Sequence, residues 1–166
     1  DNYGVVHLST GDMFRAARDE GTELGLKVAP IMASGGLVSD ELTIAIVRER
    51  LGSEEIRKAG FVLDGFPRTP AQAEALLEML GDDDLHAVLT LDVSLEEVTA
   101  RMQARGREDD TADGIAKRLA LYDSETVPTI EWFADRDLLV NVDGLGSEDD
   151  VTGRIFETVD GLLAAD

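Results

Sequence analysis

Four short apolar runs, Val5 to Leu8, Phe61 to Leu63, Ala87 to Val93 and Leu138 to Val142, alternate with longer stretches of helical periodicity. That alternation predicts an α/β fold, a parallel sheet with helices packed on both faces. The last two runs are near-continuous Val and Leu, as strands covered on both sides tend to be, and each runs into an aspartate before a turn or cap. In such a sheet ligands gather at the carboxyl ends of the strands. At 166 residues the chain fits one domain around a single core.

Helix signals are explicit in several places. Thr69-Pro70 with Gln72 opens a run of alanines and leucines that closes at Gly81. Ser94 with Glu97 forms a second capping box, starting a helix that carries Val98 and Met102 inward and ends near Arg105. Ser147 caps a last helix with Val151, Ile155, Val159 and Leu162 at helical spacing. Between the first two strands lie about 50 residues of helix and Gly-rich turn. There Pro30 is expected to kink or end its helix, and Gly35-Gly36 breaks the pattern before Ser39 starts another. Arg105 to Asp113 reads as an exposed polar loop, followed by a helix with Arg118 and Tyr122 and a further helical segment at Pro128.

Composition removes several classes of function. The formal charge of -20, from 35 acids against 15 bases, gives a field that repels nucleic acid and anionic membranes. An acid-rich, lysine-poor surface also suits high salt, but net charge speaks of solubility rather than fold. No apolar run approaches the roughly 20 residues of a membrane span, and no secretory pattern opens the chain. Zero cysteines leave no disulfide framework and no thiolate chemistry, which fits a cytoplasmic location. Only Lys27, Lys58 and Lys117 are lysines; the other bases are arginines, whose planar fork grips phosphate in two places. Anion binding is therefore expected at local arginine clusters.

Thr10 and Arg15 flank a helix start, where free N–H groups and the dipole favour an anion. The plainer alternative is that Ser9, Thr10 and Asp12 cap the helix and Arg15 is solvated. Leu63-Asp64-Gly65-Phe66-Pro67-Arg68 closes a strand so that carboxylate and guanidinium emerge together at the ligand-binding edge. Asp64 could hold Mg²⁺ through water; otherwise the hexapeptide is an Asp-Gly turn with a surface arginine. The capping box already accounts for Gln72. Arg101, Arg105, Arg107 and Arg118 place cations around the polar loop, as phosphoryl transfer requires, unless Glu96, Glu97, Glu108, Asp109 and Asp110 neutralise them in surface pairs. His7 and His86 lack partners at metal-ligand spacing, no Gly-x-Ser-x-Gly elbow occurs, and Trp132, Phe133 and Tyr122 fit helix packing. No Gly-x-x-x-x-Gly-Lys-Ser/Thr phosphate loop occurs in these residues.

Taken together, Ser9-Thr10-Gly11-Asp12 with Arg15, Leu63 to Arg68 with Gln72, and Arg105-Gly106-Arg107 with Asp109-Asp110-Thr111 resemble adenylate kinase in its bacterial short-lid form, over essentially the whole chain. The resemblance implies a P-loop-NTPase-like sheet and reversible transfer of a phosphoryl group from Mg-ATP to AMP, giving two ADP. It assigns Thr10, Arg15, Gly36, Leu37, Val38, Gly65, Arg68 and Gln72 to the AMP site, with Gln72 reading adenine. Arg107 and Arg118 gather around the phosphates, Arg101 and Arg105 lie on the ATP side, Gly146 contacts the ATP base, and Asp64 helps order Mg²⁺. Two flaps are implied, one at about residues 10–39 and a short lid at about 106–113, which without cysteines carries no zinc.

The family begins with a strand and a Gly-rich phosphate loop that these residues lack, and it places that strand between the ones ending here at Asp64 and Val93. The resulting gap could be met by closure of those two strands, by a partner chain in a self-association, or by upstream residues of a longer natural protein. Two other functions compete with an adenylate kinase: a non-catalytic adenine-nucleotide-binding module, and a kinase of UMP or CMP.

Overall fold

The computed structural model describes residues 3–81 and 85–164. Asp1, Asn2, Asp82 to Asp84, Ala165 and Asp166 lie outside them. In chain order the elements are β1 (Val6–Ser9), α1 (Thr10–Asp19), α2 (Glu23–Ala33), α3 (Asp40–Leu51), α4 (Glu54–Ala59), β2 (Phe61–Asp64) and α5 (Pro70–Leu80). They continue with β3 (Val88–Asp92), α6 (Leu95–Arg105), α7 (Ala112–Leu121), a π-helical turn (Tyr122–Thr126), α8 (Val127–Ala134), β4 (Leu139–Asp143) and α9 (Glu148–Leu163). The four expected strands are present, each within a residue or two of the expected limits. No helix of the described residues is long and apolar enough to cross a membrane.

All pairing is parallel, as the crossover helices require. β1 pairs with β2 in the register Val6 to Phe61 through Ser9 to Asp64, and β3 with β4 from Val88 to Leu139 through Asp92 to Asp143. The two pairs are separate sheets, and among the described residues β2 and β3 do not hydrogen-bond to each other. Closure of β2 onto β3 is thus not adopted. The β1–β2 register places Ser9 and Thr10 beside Asp64 and Gly65, so both strands deliver their turns to one edge.

The main core, Leu8, Val47, Leu51, Ile56, Phe66 and Leu76, fills the space between β1, α3, α4 and α5. Each such side chain contributes about 1.5–3 kcal/mol on burial. A smaller cluster, Phe14, Val28 and Val38, joins α1, α2 and the turn before α3. Gly25 permits this, because a Cβ there would lie 2.0 Å from the Ala17 carbonyl oxygen.

Four local expectations are refined. Of the two outcomes expected at Pro30, a kink or an end, the end does not occur, since α2 runs on to Ala33. Proline removes one hydrogen bond to Leu26, and so close to the helix end the rest of the ladder survives that loss. Arg105 to Asp113 is not loop throughout: Gly106 takes the left-handed C-cap conformation, and the Thr111 side chain accepts from Gly114 N–H to start α7 at Ala112. The helices flanking Tyr122 are continuous, joined by the π turn. Pro128 cannot donate to residue 124 and its ring crowds that carbonyl, a conflict the wider turn relieves. Ser94 caps α6 without the reciprocal Glu97 bond, whereas Ser147 and Asp150 form a complete capping box on α9.

Candidate active site

The turn after β2 is built around Gly65. Its φ of +74° favours glycine, and an added Cβ would sit 2.9 Å from a guanidinium nitrogen of Arg68 and 3.1 Å from Thr10 Oγ1. The buried Thr10 hydroxyl donates to the Gly65 carbonyl at 3.0 Å, and Arg68 Nε donates to the same oxygen at 2.9 Å. Three residues expected in one site are thereby joined. Gln72, only 3% exposed, departs from its capping-box role. Its backbone N–H does meet Thr69 Oγ1, but its side-chain Oε1 accepts from Arg68 N–H at 2.8 Å and its Nε2 donates to Asp40 Oδ1 at 2.8 Å.

Five guanidinium groups, from α1 (Arg15), the β2–α5 turn (Arg68), the end of α6 (Arg105), the following loop (Arg107) and α7 (Arg118), act on one another electrostatically. Crowding by protein, followed by repulsion from Arg105, Arg68, Arg107 and Arg15, holds the pKa of Arg118 below its usual value. Arg107 is lowered first by crowding and then by Arg105 and Arg15. Arg68 is lowered by crowding, with Asp64 opposing and Arg15 adding to the effect. Mutually repelling cations of this kind favour a multiply charged anion among them.

Asp110 organises the group. Its side chain is 1% exposed and accepts from Arg105 Nε at 3.0 Å, a second Arg105 nitrogen at 2.7 Å, Arg107 N–H at 3.0 Å and Arg118 at 2.7 Å. Its carboxyl pKa is held down, chiefly by the Arg105 hydrogen bond. Asp109 pairs with Arg118, Glu97 with Arg101 and Asp12 with Arg15, while Glu108 faces Arg18 across 3.9 Å. The expected neutralising pairs therefore exist in part, but the central one is buried rather than on the surface.

Arg101 reaches the β4–α9 loop. It donates to the carbonyls of Gly144 at 3.1 Å and Gly146 at 3.5 Å, which brings Arg101 and Gly146 together on the β4–α9 loop. Gly36 and Leu37 lie at the end of α2 beside Lys117, lining with Pro30, Ile31, Ser34 and Leu121 a cavity of about 470 Å³. Val38 is buried against Phe14. Lys117 Nζ donates to Ser34 Oγ at 2.9 Å, and Gly35 packs so closely on Gly114 that a Cβ would meet the Gly114 carbonyl oxygen at 2.6 Å. No local sequence pattern marks this strap, because its partners are far apart in the chain.

Asp64 ends β2 exposed, with His7 Nε2 at 3.6 Å from Oδ2. Among the described residues no group of three or more acidic, His or Cys side chains could hold a metal alone. One carboxylate is still a fitting partner for Mg²⁺, which keeps several waters and takes its remaining ligands from nucleotide phosphates.

Comparison with known proteins identifies the family by sequence. A profile of the family described as "Adenylate kinase" matches residues 1–138. Among curated proteins, the adenylate kinase of Xanthomonas euvesicatoria pv. vesicatoria (strain 85-10) is 44% identical over 165 residues, spanning 96% of this chain and 88% of that one. The adenylate kinase of Hyphomonas neptunium (strain ATCC 15444) is 45% identical over 158 residues, spanning 92% and 83%. With that degree of identity along nearly its whole length, the chain belongs to the adenylate kinase family.

Proposed function

We propose that this chain transfers the terminal phosphoryl group of Mg-ATP to AMP, reversibly, giving two ADP. An oxygen of the AMP phosphate forms a bond to the γ-phosphorus of ATP, and the bond from that phosphorus to the β–γ bridging oxygen breaks, leaving ADP on each side. The observation that carries this reading is the gathering of Arg15, Arg68, Arg105, Arg107 and Arg118 from separate elements. Phosphoryl transfer spreads charge over several oxygens, and positioned cations that meet it lower the barrier.

In this reading Arg15 and Arg68 hold the AMP phosphate, Arg105 the ATP side, and Arg107 and Arg118 the group in transit. Thr10, Gly36, Leu37, Val38, Gly65 and Gln72 surround the AMP nucleoside, with Gln72 toward the base; Arg101 and Gly146 serve the ATP base side. Residues 10–39 and 106–113 act as the two closing flaps. Asp64 would hold Mg²⁺ through water, and the ion, when bound, neutralises charge between the phosphates. The free edges of β2 and β3 suit one more parallel strand, from a longer natural chain or from self-association. Sedimentation tests the latter: a dimer supports it, a monomer opposes it.

ADP production from ATP with AMP, CMP or UMP and magnesium tests the function. Turnover should favour AMP, and Arg68→Ala should lower it by about a hundredfold or more. Equal background rates in both proteins would end the enzyme claim; AMP binding that saturates without turnover would leave a binding module, and preference for CMP or UMP would move the specificity to pyrimidines.

A further inference from the structure

We infer that Asp40 is a positioning residue for base selection: by fixing which end of the Gln72 amide faces the base, it selects a 6-aminopurine monophosphate over the 6-oxo counterpart. This rests on the reading above, in which Gln72 meets the purine. An amide can usually turn over at little cost, exchanging its donor for its acceptor. Here it cannot. The Arg68 backbone N–H can only donate, so Oε1 must face it at 2.8 Å; the Asp40 carboxylate can only accept, so Nε2 must face it at 2.8 Å. Turning the amide over would set N–H against N–H and oxygen against oxygen at a side chain 3% exposed, losing two hydrogen bonds where water does not replace them.

Fixed in this way, Gln72 has one N–H and one lone pair left to offer. A glutamine amide can pair bidentately with adenine, accepting from the exocyclic N6 amino group and donating to the ring nitrogen N1 beside it. A 6-oxo base presents an acceptor at O6 and a donor at N1–H on that edge, and only the turned-over amide would suit it. Asp40 begins α3, 32 residues before Gln72, and bridges α3 to α5. The selection is thus made by a residue that need not touch the nucleotide.

The test measures dissociation constants for AMP and IMP by calorimetry on the full chain, for the wild type, Asp40→Asn, Asp40→Glu and Gln72→Ala, each checked by its thermal melt. The side-chain amide that Asp40→Asn introduces can itself rotate to donate to a turned-over Gln72, which removes one of the two penalties and leaves the Arg68 N–H as the other, so this change should lower the AMP-to-IMP preference about tenfold without abolishing it. Asp40→Glu, which still only accepts, should keep most of that preference. Loss of the preference in Gln72→Ala with full retention in Asp40→Asn would overturn this inference and leave the base-reading role of Gln72 standing. Retention in Gln72→Ala would overturn that role, and this inference with it. Should Asp40→Asn fail to fold, Asp40→Ser decides, because a hydroxyl donates as well as accepts: a lowered preference supports the proposal, and a preference equal to the wild type contradicts it.

Discussion

Asp110 shows how one carboxylate can hold a set of cations that would otherwise push apart. With Arg105, Arg118 and the Arg107 backbone N–H all bonded to it and its side chain 1% exposed, removing its charge leaves Arg105 without its ion pair and Arg118 with Asp109 alone. Asp110→Asn should therefore destabilise the fold by about 2 kcal/mol, read from the urea midpoint at pH 7. The pH dependence has a definite sign. The folded carboxyl titrates below its ordinary value, so its stabilisation is present above about pH 4 and is lost as the pH falls through the lowered value. The gap between wild type and Asp110→Asn should stay constant from pH 8 to about 5 and close below about 4; a gap independent of pH would contradict the assignment. At this scale the sequence revealed the residue types but not their partners. Gln72 looked like a capping residue because the Thr69 spacing allows it, yet its side chain pairs with Arg68 N–H and with Asp40, a partner local patterning does not show.

Elements with punctuation at both ends were the readable ones. Thr69 and Gly81 bound α5 as expected, because a hydroxyl at the N-cap and a glycine of positive φ at the C-cap satisfy the helix ends locally. Pro30 and the π turn were not readable, since whether a proline breaks a helix depends on how many bonds lie beyond it and what packs on its face. The α1–α2 pair depends on Gly25, and Gly25→Ala should push a methyl group into the Ala17 backbone and cost about 1–3 kcal/mol in chemical denaturation. A neutral result there would mean the helices are not in close contact. The strap from α2 to α7 makes a separate prediction. Lys117→Met removes its Ser34 bond and should weaken AMP binding several-fold, as roughly 1 kcal/mol implies, with faster hydrogen exchange at residues 34–36. Unchanged exchange would show that the strap does not hold the flap.

Across the whole molecule, burial is uneven. The half formed by β1, β2 and α1 to α5 holds both core clusters, whereas α6 and α9 contain no fully buried residue, and Val62 in β2 and Leu91 in β3 are 53% and 47% exposed. Amide exchange should accordingly be slowest in β1, β2 and α5 and faster in α6 and α9, and the reverse order would contradict this account of the core. The alternation of strands and helices was legible because crossover connections leave few other choices. The split into two sheets was legible only through the resemblance, which left a gap between the strands ending at Asp64 and Val93; periodicity within a strand says nothing about its neighbour. The arginine site was legible as a list of residues through family motifs; only the fold shows that Arg101 bonds to the β4–α9 loop. The most direct measurement of the central claim is a double-mutant cycle of Arg68→Ala and Arg118→Ala on kcat/KM for ADP formation. If both guanidiniums serve one migrating phosphoryl group, each single change should cost about a hundredfold or more, and the double change clearly less than the product of the two. Strictly multiplicative losses, or single changes without effect, would contradict a shared site.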